Sequence, residues 1–258
     1  MPDESRTPLT VPLKRSAGQS TAEQLEQIQN DRVLTPIVCG MIVIAVVTLE
    51  WLRFVLNVMP HPIIVTAAGF ICIVFLWREY SFYRSLRERY QLGLEGEREV
   101  SQVLTEGLPG YRVIDDIVFD GFNVDHALIG PSGIFSIETK TRRKYPGRHQ
   151  VEYNGEKLTV AGFPPDRDPV VQAKAGAARL SDLIFSLTGQ RFDVRPVVLF
   201  PGWFVVLKVR RPAVGVFNPK PFLNWVRKER QQLTAEQIIV VAEALKRHQA
   251  QETRRRDS

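Results

Sequence analysis

Two long apolar runs near the start of the chain constrain its fold more than any other feature. Residues 33–49 hold no charged side chain over 17 positions, and residues 63–77 hold none over 15. At about 1.5 Å of helical rise per residue the first run spans roughly 25 Å, close to the roughly 30 Å hydrocarbon core of a bilayer. Both runs are followed by aromatic and basic side chains that suit the membrane interface: Trp51, Arg53, Trp77, Arg78 and Tyr80. The pattern predicts a transmembrane helical hairpin over residues 33–77.

The two apolar runs admit two interpretations other than membrane spans. A cleaved signal peptide is excluded, because the first run begins after 32 mostly polar residues and no small-residue cleavage site follows it. A helical hairpin buried in a soluble core is the remaining alternative. Both runs lack the polar face that a surface helix keeps, which favours the membrane.

The distribution of Lys and Arg predicts the orientation of the hairpin. The connecting loop carries one of these residues, Arg53, whereas the N-terminal arm carries four and the twelve residues after the second run carry four more. By the positive-inside rule, both termini face the cytoplasm and the protein lies in the cell membrane with two spans. The arm, residues 1–32, is expected to be partly disordered, with a capping box at Ser20–Glu23 opening a short helix.

The rest of the chain is charged and basic. Residues 78–258 carry a net charge of +7, while residues 1–77 carry −1. A basic domain suits an acidic partner, either nucleic acid or an anionic membrane surface. The two cysteines are too few for a disulfide-stapled secreted scaffold, and both lie inside the apolar runs.

Hydrophobic periodicity after the second run indicates alternating helices and strands. The expected elements are a helix over 81–107 interrupted near Gly93 and Gly96, strands over 111–119, 123–130 and 133–141, a hairpin of 150–153 with 156–160 turned by Asn154-Gly155, a helix over 170–187, strands over 194–200, 203–209 and 214–217, and helices over 221–228 and 235–248. The order helix, three strands, helix, strand predicts an α/β fold with helices covering a sheet.

Charged residues on two adjacent strands form a candidate site. If Pro131-Ser132 is the loop of a hairpin, the numbers of opposed residues sum to 263, and Asp125 lies opposite Glu138. Lys140 shares a sheet face with Glu138, because strand side chains alternate. Opposed carboxylates repel each other, and a divalent cation that prefers oxygen ligands would offset the repulsion. A lysine beside such a cation can orient or deprotonate a water.

Two alternatives stay open for this site. The same residues could form a surface salt-bridge ladder, although the neighbouring Ile134, Phe135 and Ile137 indicate a half-buried strand where unpaired charges are costly. Pro131 cannot adopt the positive φ of a primed turn, so a longer loop could move Asp125 to the opposite face.

The residues around the site resemble the NERD (nuclease-related) domain, a branch of the PD-(D/E)xK nuclease-like superfamily. The resemblance covers residues 93–217. It is carried by Gly93–Glu97, Asp125-His126, Gly130–Phe135, Glu138–Lys140, Pro169–Gln172 and Arg195–Phe200. In place of the family's proline, Val124 precedes the aspartate.

The resemblance implies a PD-(D/E)xK restriction-endonuclease-like core, αβββαβ, preceded here by two transmembrane α-helices, and a metal-dependent phosphodiesterase site. Asp125, Glu138 and Glu97 would hold Mg²⁺ or Mn²⁺. Lys140 would serve the attacking water, and Gln172 would lie beside the site as an orienting hydrogen-bonding group. His126 falls on the face opposite Asp125, where a packing or supporting role is expected.

A basic segment follows the site and suits a polyanionic substrate. Its members are Arg142, Arg143, Lys144 and Arg148, with Tyr145 among them. A solvated loop that only supports solubility is the alternative. The expected domains are an arm (1–32), a transmembrane hairpin (33–77), a helical linker (78–92), a NERD nuclease-like domain (93–217), and C-terminal helices with a basic tail (218–258).

These observations predict a membrane-anchored, Mg²⁺-dependent nuclease acting on nucleic acid, DNA being favoured over RNA, on the cytoplasmic side. The alternative is a non-catalytic module on the same anchor that binds nucleic acid or a partner.

Overall fold

A computed structural model describes residues 17, 19, 22, 34–56, 61–119, 121–143 and 150–256. The chain divides into two compact units between Leu94 and Glu95. The N-terminal arm with its expected capping box, and the Lys144–Arg148 part of the basic segment, lie outside the described residues.

The first unit contains the two apolar runs, each in a long helix. Helix α1 spans Leu34–Val55, and helix α2 spans Pro62–Gly107. Both are long and apolar enough to cross a membrane, by length and composition. Helix α2 continues through Gly93 and Gly96, so the prediction of an interruption there is wrong. An isolated glycine costs a helix only about 1 kcal/mol, which the neighbouring turns of a long helix outweigh.

The two helices contact each other along one side. A Cβ on Gly69 would lie 2.7 Å from Val47 Cγ2, so the glycine allows close approach. At the turn, Trp51 Nε1 donates to Thr66 Oγ1 at 3.0 Å.

The second unit is built on a five-stranded mixed sheet. Its strands are β1 (Arg112–Phe119), β2 (Phe122–Gly130), β3 (Gly133–Thr139), β6 (Val194–Leu199) and β8 (Gly215–Phe217), in the order β1-β2-β3-β6-β8. The first three strands are antiparallel, and β3, β6 and β8 run parallel. A second sheet has the order β5-β4-β7, with β4 (Gln150–Tyr153), β5 (Leu158–Val160) and β7 (Phe204–Leu207).

Three helices complete this unit: α3 (Pro169–Thr188), α4 (Pro219–Lys228) and α5 (Ala235–Arg256). The Asp168 carboxylate caps α3 by accepting from Val170 N at 2.9 Å. Thr234 and Gln237 form the predicted capping box of α5, each side chain accepting from the other's backbone N–H.

The helices cover both faces of the large sheet. Apolar residues of α3 and α5 pack on one face with Ala127, Ile129 and Ile134. Helices α2 and α4 pack on the other face around Leu128, Phe135 and Ile137. The order α2, β1, β2, β3, α3, β6 gives the predicted αβββαβ core, with the β4–β5 hairpin inserted before α3.

The register of β2 on β3 is the predicted one. The pairs run from Gly130–Gly133 to His126–Ile137, each summing to 263. The two-residue loop is possible because the positive φ of 119° falls on Gly133 rather than on Pro131. Backbone N–H groups of Gln232 and Leu233 donate to the Pro131 carbonyl and hold the loop.

The small hairpin differs in its turn. Tyr153 pairs with Leu158, so the loop has four residues rather than the two expected from Asn154-Gly155. The Asn154 side chain accepts from the backbone N–H groups of Glu156 and Lys157, and this local bonding replaces a two-residue turn.

Candidate functional site

Asp125 and Glu138 lie at the end of the β2–β3 ladder. The last backbone pair is His126–Ile137, and the next opposed positions in the same register are Asp125 and Glu138. Because opposed residues of antiparallel strands share a face, both carboxylates project from one side of the sheet. The structure therefore gives these two residues the relation that the sequence predicts.

Lys140 follows one residue beyond β3 and contacts Glu138. Its Nζ lies 2.6 Å from Glu138 Oε1, and both side chains are largely shielded from solvent. The Lys140 backbone N–H donates to the Leu199 carbonyl at 2.9 Å, which extends the β3–β6 pairing by one residue. The backbone of Lys140 is thus held to β6, and its ammonium lies beside the Glu138 carboxylate.

The electrostatics of the site centre on Asp125. Burial raises the pKa of its carboxyl well above the usual range, and the negative charges of Glu138 and Glu97 raise it further. A hydrogen bond from Thr139 N to Asp125 Oδ2, at 2.7 Å, and the charge of Lys140 act in the opposite direction and are outweighed. Ionisation of Asp125 therefore adds a negative charge that the surroundings do not fully compensate and that a cation would neutralise.

Glu97 reaches this group from helix α2. The helix approaches the end of β3 closely at Gly96, where a Cβ would lie only 1.7 Å from Thr141 Oγ1. The next residue, Glu97, is therefore close enough for its charge to act on Asp125. The carboxylates predicted as metal ligands thus come from three elements, and the charges of Glu138 and Glu97 both act on Asp125.

Gln172 lies on α3 above the same face of the sheet. A Cβ on Gly176 would lie 3.1 Å from Ser136 Oγ, so α3 packs directly on β3. Gln172 lies one helical turn before Gly176, about 6 Å back along α3, and Glu138 lies two residues after Ser136, about 6.6 Å onward along β3. These matching distances place Gln172 over Glu138. Its buried Oε1 has no hydrogen-bond partner among the described residues. This orphaned acceptor is unusual for a buried amide and suits a bound water or ligand.

The basic segment begins directly after the site. The Arg142 carbonyl accepts from Trp203 Nε1 at 3.3 Å, and Trp203 is buried, so the start of the segment is anchored. Arg143 is exposed. Lys144 and Arg148 lie outside the described residues.

A buried polar chain beside the site could not be found from the sequence. His126 Nδ1 lies 2.8 Å from Asp115 Oδ1, and His126 Nε2 lies 3.2 Å from Thr139 Oγ1. Ser101 Oγ donates to the other Asp115 oxygen at 2.9 Å. The four residues come from α2, β1, β2 and β3. The sequence indicated only that His126 has a packing or supporting role. No sequence motif connected His126 with Asp115 or Ser101.

The backbone of β1 is distorted where it passes Asp125. Asp116, the residue opposite Asp125 in the β1–β2 register, has a φ of 53° and is missing from the paired positions. Gln249 of α5 donates through Nε2 to the carbonyls of Asp115 and Asp116. A left-handed aspartate costs about 1 kcal/mol or more, and such strain concentrates at functional sites.

The donor set fits a divalent cation in its chemistry. Carboxylate oxygens are the ligands that Mg²⁺ and Mn²⁺ prefer, and Mg²⁺ is commonly held by one or two carboxylates with waters and substrate phosphates. Among the described residues no group of three or more His, Cys, Asp or Glu side chains is placed to hold a metal ion. Asp125 and Glu138 would therefore provide the protein ligands, and Glu97 a further acidic group.

Fold and site together define an α/β domain of the nuclease-like class. The sequence model described as "Nuclease-related domain", NERD, matches residues 92–201. The matched segment runs from α2 through β6 and includes every residue of the candidate site, so this part of the chain is similar to the NERD domain.

No curated protein matches the chain significantly. Among solved structures the chain is similar to SfsA of Pyrococcus furiosus, determined in complex with Ca²⁺, at 20% identity and a TM-score of 0.21. That match covers 57% of this chain and half of the SfsA chain.

Proposed function

We propose that this protein is a membrane-anchored nuclease that hydrolyses phosphodiester bonds of nucleic acid with a divalent metal ion, on the cytoplasmic side of the membrane. The observation that carries the proposal is the convergence of Asp125, Glu138 and Lys140 at the end of the β2–β3 ladder. Two carboxylates and a lysine on one sheet face form a donor set that suits metal-assisted phosphodiester hydrolysis.

Each site residue has a distinct role in this proposal. Asp125 and Glu138 would hold Mg²⁺ or Mn²⁺, with Glu97 as the additional carboxylate. The bound ion would lower the pKa of a water and neutralise charge on the phosphate. Lys140, whose ammonium already lies at Glu138, would hold the attacking water by hydrogen bonding and stabilise charge on the phosphate. The amide of Gln172, with its free acceptor, would orient that water.

The basic residues after the site support a nucleic-acid substrate, and the apolar helices support a membrane anchor. Arg142 and Arg143, with Lys144 and Arg148 further along, would bind the phosphate backbone, and DNA is the expected substrate in preference to RNA. Helices α1 and α2 would anchor the chain in the bilayer, with both termini on the cytoplasmic side by the positive-inside rule.

The test is a cleavage assay on the full-length protein in detergent, with single- and double-stranded DNA and RNA as substrates. Lys140→Ala is compared with Lys208→Ala, because Lys208 forms the same 2.6 Å contact with a glutamate, Glu152, on the second sheet. We expect cleavage only with Mg²⁺ or Mn²⁺, a loss of about 100-fold or more in Lys140→Ala, and wild-type rates in Lys208→Ala.

A second candidate is a NERD domain that binds nucleic acid without cleaving it. The observation that favours it is the 2.6 Å contact between Lys140 and Glu138, which is also what a structural salt-bridge pair would show. This candidate predicts salt-sensitive binding with no metal-dependent turnover in the same assay. Absence of metal-dependent cleavage by the wild type would refute the nuclease proposal, and equal cleavage by the wild type and Lys140→Ala would refute the role given to Lys140.

A further inference from the structure

The two candidate metal ligands lie just beyond the point where backbone pairing ends. The β2–β3 ladder stops at His126–Ile137, and Asp125 and Glu138 follow it on their strands. Beyond the last pair, backbone hydrogen bonds no longer fix the separation of the strands. Two carboxylates at this position repel each other, so the strands tend to separate where a shared metal ion needs them close.

Thr139 bridges the two strands at this position by two separate links. Its backbone N–H donates to Asp125 Oδ2 at 2.7 Å, replacing a ladder hydrogen bond by one to a side chain. Its hydroxyl lies 3.2 Å from His126 Nε2 on the other face of the sheet. On its far side β3 is held by the parallel ladder with β6, where Thr139 pairs with Leu199. Among the described contacts, these two links are what tie the end of β3 to β2.

The histidine link is fixed in direction by the carboxylate behind it. A carboxylate can only accept, so with Asp115 as carboxylate and His126 as neutral imidazole, Nδ1–H donates to Asp115 and Nε2 accepts from the Thr139 hydroxyl. Ser101 Oγ donates to the second Asp115 oxygen. His126 is completely buried, and Thr139 and Asp115 are 7% and 6% exposed. A fully satisfied buried chain of this kind holds its members in one geometry.

The order of hydroxyl, imidazole and carboxylate also occurs in hydrolases that use a hydroxyl as nucleophile. The Thr139 hydroxyl does not fit that role, because it is buried on the face of the sheet that α2 and α4 cover, opposite the face of Asp125 and Glu138. Its connection to the site runs through its own backbone N–H. The hydrogen-bonded group of Thr139, His126 and Asp115 is therefore placed to orient the metal ligand Asp125 rather than to attack a substrate.

We propose that Thr139, His126 and Asp115 form a positioning clamp that holds β2 and β3 together beyond their ladder and so fixes the Asp125 carboxylate against Glu138 for metal binding. This inference rests on the proposed function, since the ion that the clamp serves is the one proposed there. The three residues of the clamp are positioning residues, because they act through Asp125.

Three substitutions at one position separate the hydroxyl from the packing. Thr139→Val keeps the shape and removes the hydroxyl, Thr139→Ser keeps the hydroxyl, and Thr139→Ala removes both hydroxyl and volume. A role in packing alone requires Val to behave as the wild type. The clamp requires both Val and Ala to lose function and Ser to retain it. Ser181→Ala is the control, since the hydroxyl of Ser181 on α3 donates to the carbonyl of Phe192, which follows that helix.

Two readouts are measured on the full-length protein in detergent. The first is hydrogen–deuterium exchange of the residue-139 amide without metal, which reports its bond to Asp125. The second is Mn²⁺ affinity by titration calorimetry. For Thr139→Val and Thr139→Ala we expect faster amide exchange by about tenfold or more, and a 10–100-fold weaker affinity, the usual cost of losing a group that orients a metal ligand. Thr139→Ser and Ser181→Ala should match the wild type in both.

The two proposals fail in different ways. Unchanged amide exchange and unchanged Mn²⁺ affinity in Thr139→Val would overturn the clamp, even if the wild type cleaves nucleic acid. Absence of metal-dependent cleavage by the wild type would overturn the proposed function, while the metal-free exchange measurement would still decide whether the clamp exists.

Discussion

At the scale of single residues, the Asp125 carboxylate is costly to ionise in the metal-free protein. Burial and the negative charges of Glu138 and Glu97 raise its pKa, and the one hydrogen bond from Thr139 N offsets only part of this cost. A group whose folded-state pKa lies above its value in the unfolded chain binds its proton more tightly when folded, so ionised Asp125 opposes folding at neutral pH.

Asp125→Asn should therefore stabilise the metal-free protein. Asparagine keeps an acceptor for Thr139 N–H and removes the charge, so we expect the Tm at neutral pH with EDTA to rise by roughly 2–4 °C, about 1 kcal/mol in a domain of this size. The same variant should lose the stabilisation that Mn²⁺ gives the wild type. Thermal unfolding followed by tryptophan fluorescence measures both.

The control is Asp166→Asn, an exposed carboxylate outside the site, which should leave the Tm unchanged. A metal-free Asp125→Asn protein that unfolds at a lower temperature than the wild type would contradict the electrostatic argument. It would indicate that the charge of Asp125 is already compensated within the protein.

The site residues could be predicted where one strand pair carries them. Asp125 and Glu138 follow from the hairpin register, because the loop at Pro131-Ser132 and the period of two fix which side chains are opposed. The partners of His126 could not be predicted, since Asp115 and Ser101 come from another strand and a helix. Only the packing of α2 and β1 on the sheet brings those two side chains to the histidine.

At the scale of elements, helix α2 and the end of β3 meet without room for a side chain. A Cβ on Gly96 would overlap Thr141 Oγ1 at 1.7 Å and approach Thr141 Cβ at 2.9 Å. Rotating the threonine cannot relieve the second contact, so the helix must move away from β3. That movement would also displace Glu97, the next residue, from Asp125.

Gly96→Ala is expected to destabilise the protein by about 1–3 kcal/mol, the usual cost of overpacking. Gly93 is the matched control in the same helix, because a Cβ there meets nothing within 4 Å. Gly93→Ala should be neutral or up to about 1 kcal/mol stabilising from helix propensity. Denaturant unfolding of both variants gives the comparison, and equal stability of the two proteins would show that α2 does not depend on this close approach.

Elements with local signals were the ones that the sequence could predict. The capping box at Thr234 and the strand at Gln150–Tyr153 appear where the residue types indicate. The turn at Asn154-Gly155 is longer than predicted, because the Asn154 side chain bonds two backbone N–H groups of the loop. Helix α2 continues through Gly96 although the glycines indicate an interruption, because the neighbouring turns of a long helix outweigh the cost of an isolated glycine.

At the scale of the whole molecule, the chain joins a basic α/β unit to a strongly apolar helical unit. Large apolar side chains of α1 and α2 are exposed over many turns, among them Met41, Ile44, Leu49, Ile63, Phe70, Ile71 and Trp77. An apolar surface of this extent is costly in water, and a soluble monomer rarely shows one. The two apolar runs, residues 33–49 and 63–77, are the segments proposed to lie in the membrane, whereas the basic surplus lies in residues 78–258.

The last prediction tests this anchoring with charges placed in the middle of both apolar runs. Ile44 and Ile71 are 56% and 68% exposed, so lysines there would not disturb a protein core. Each lysine near the bilayer centre costs about 2.5–3.5 kcal/mol of insertion free energy, and the double variant Ile44→Lys/Ile71→Lys should shift much of the protein out of the membrane fraction. Phe204→Lys is the control, because Phe204 is 70% exposed on β7 and should not alter the distribution. Alkaline carbonate extraction followed by immunoblotting measures the bound fraction, and a double variant retained as fully as the wild type would refute the two spans.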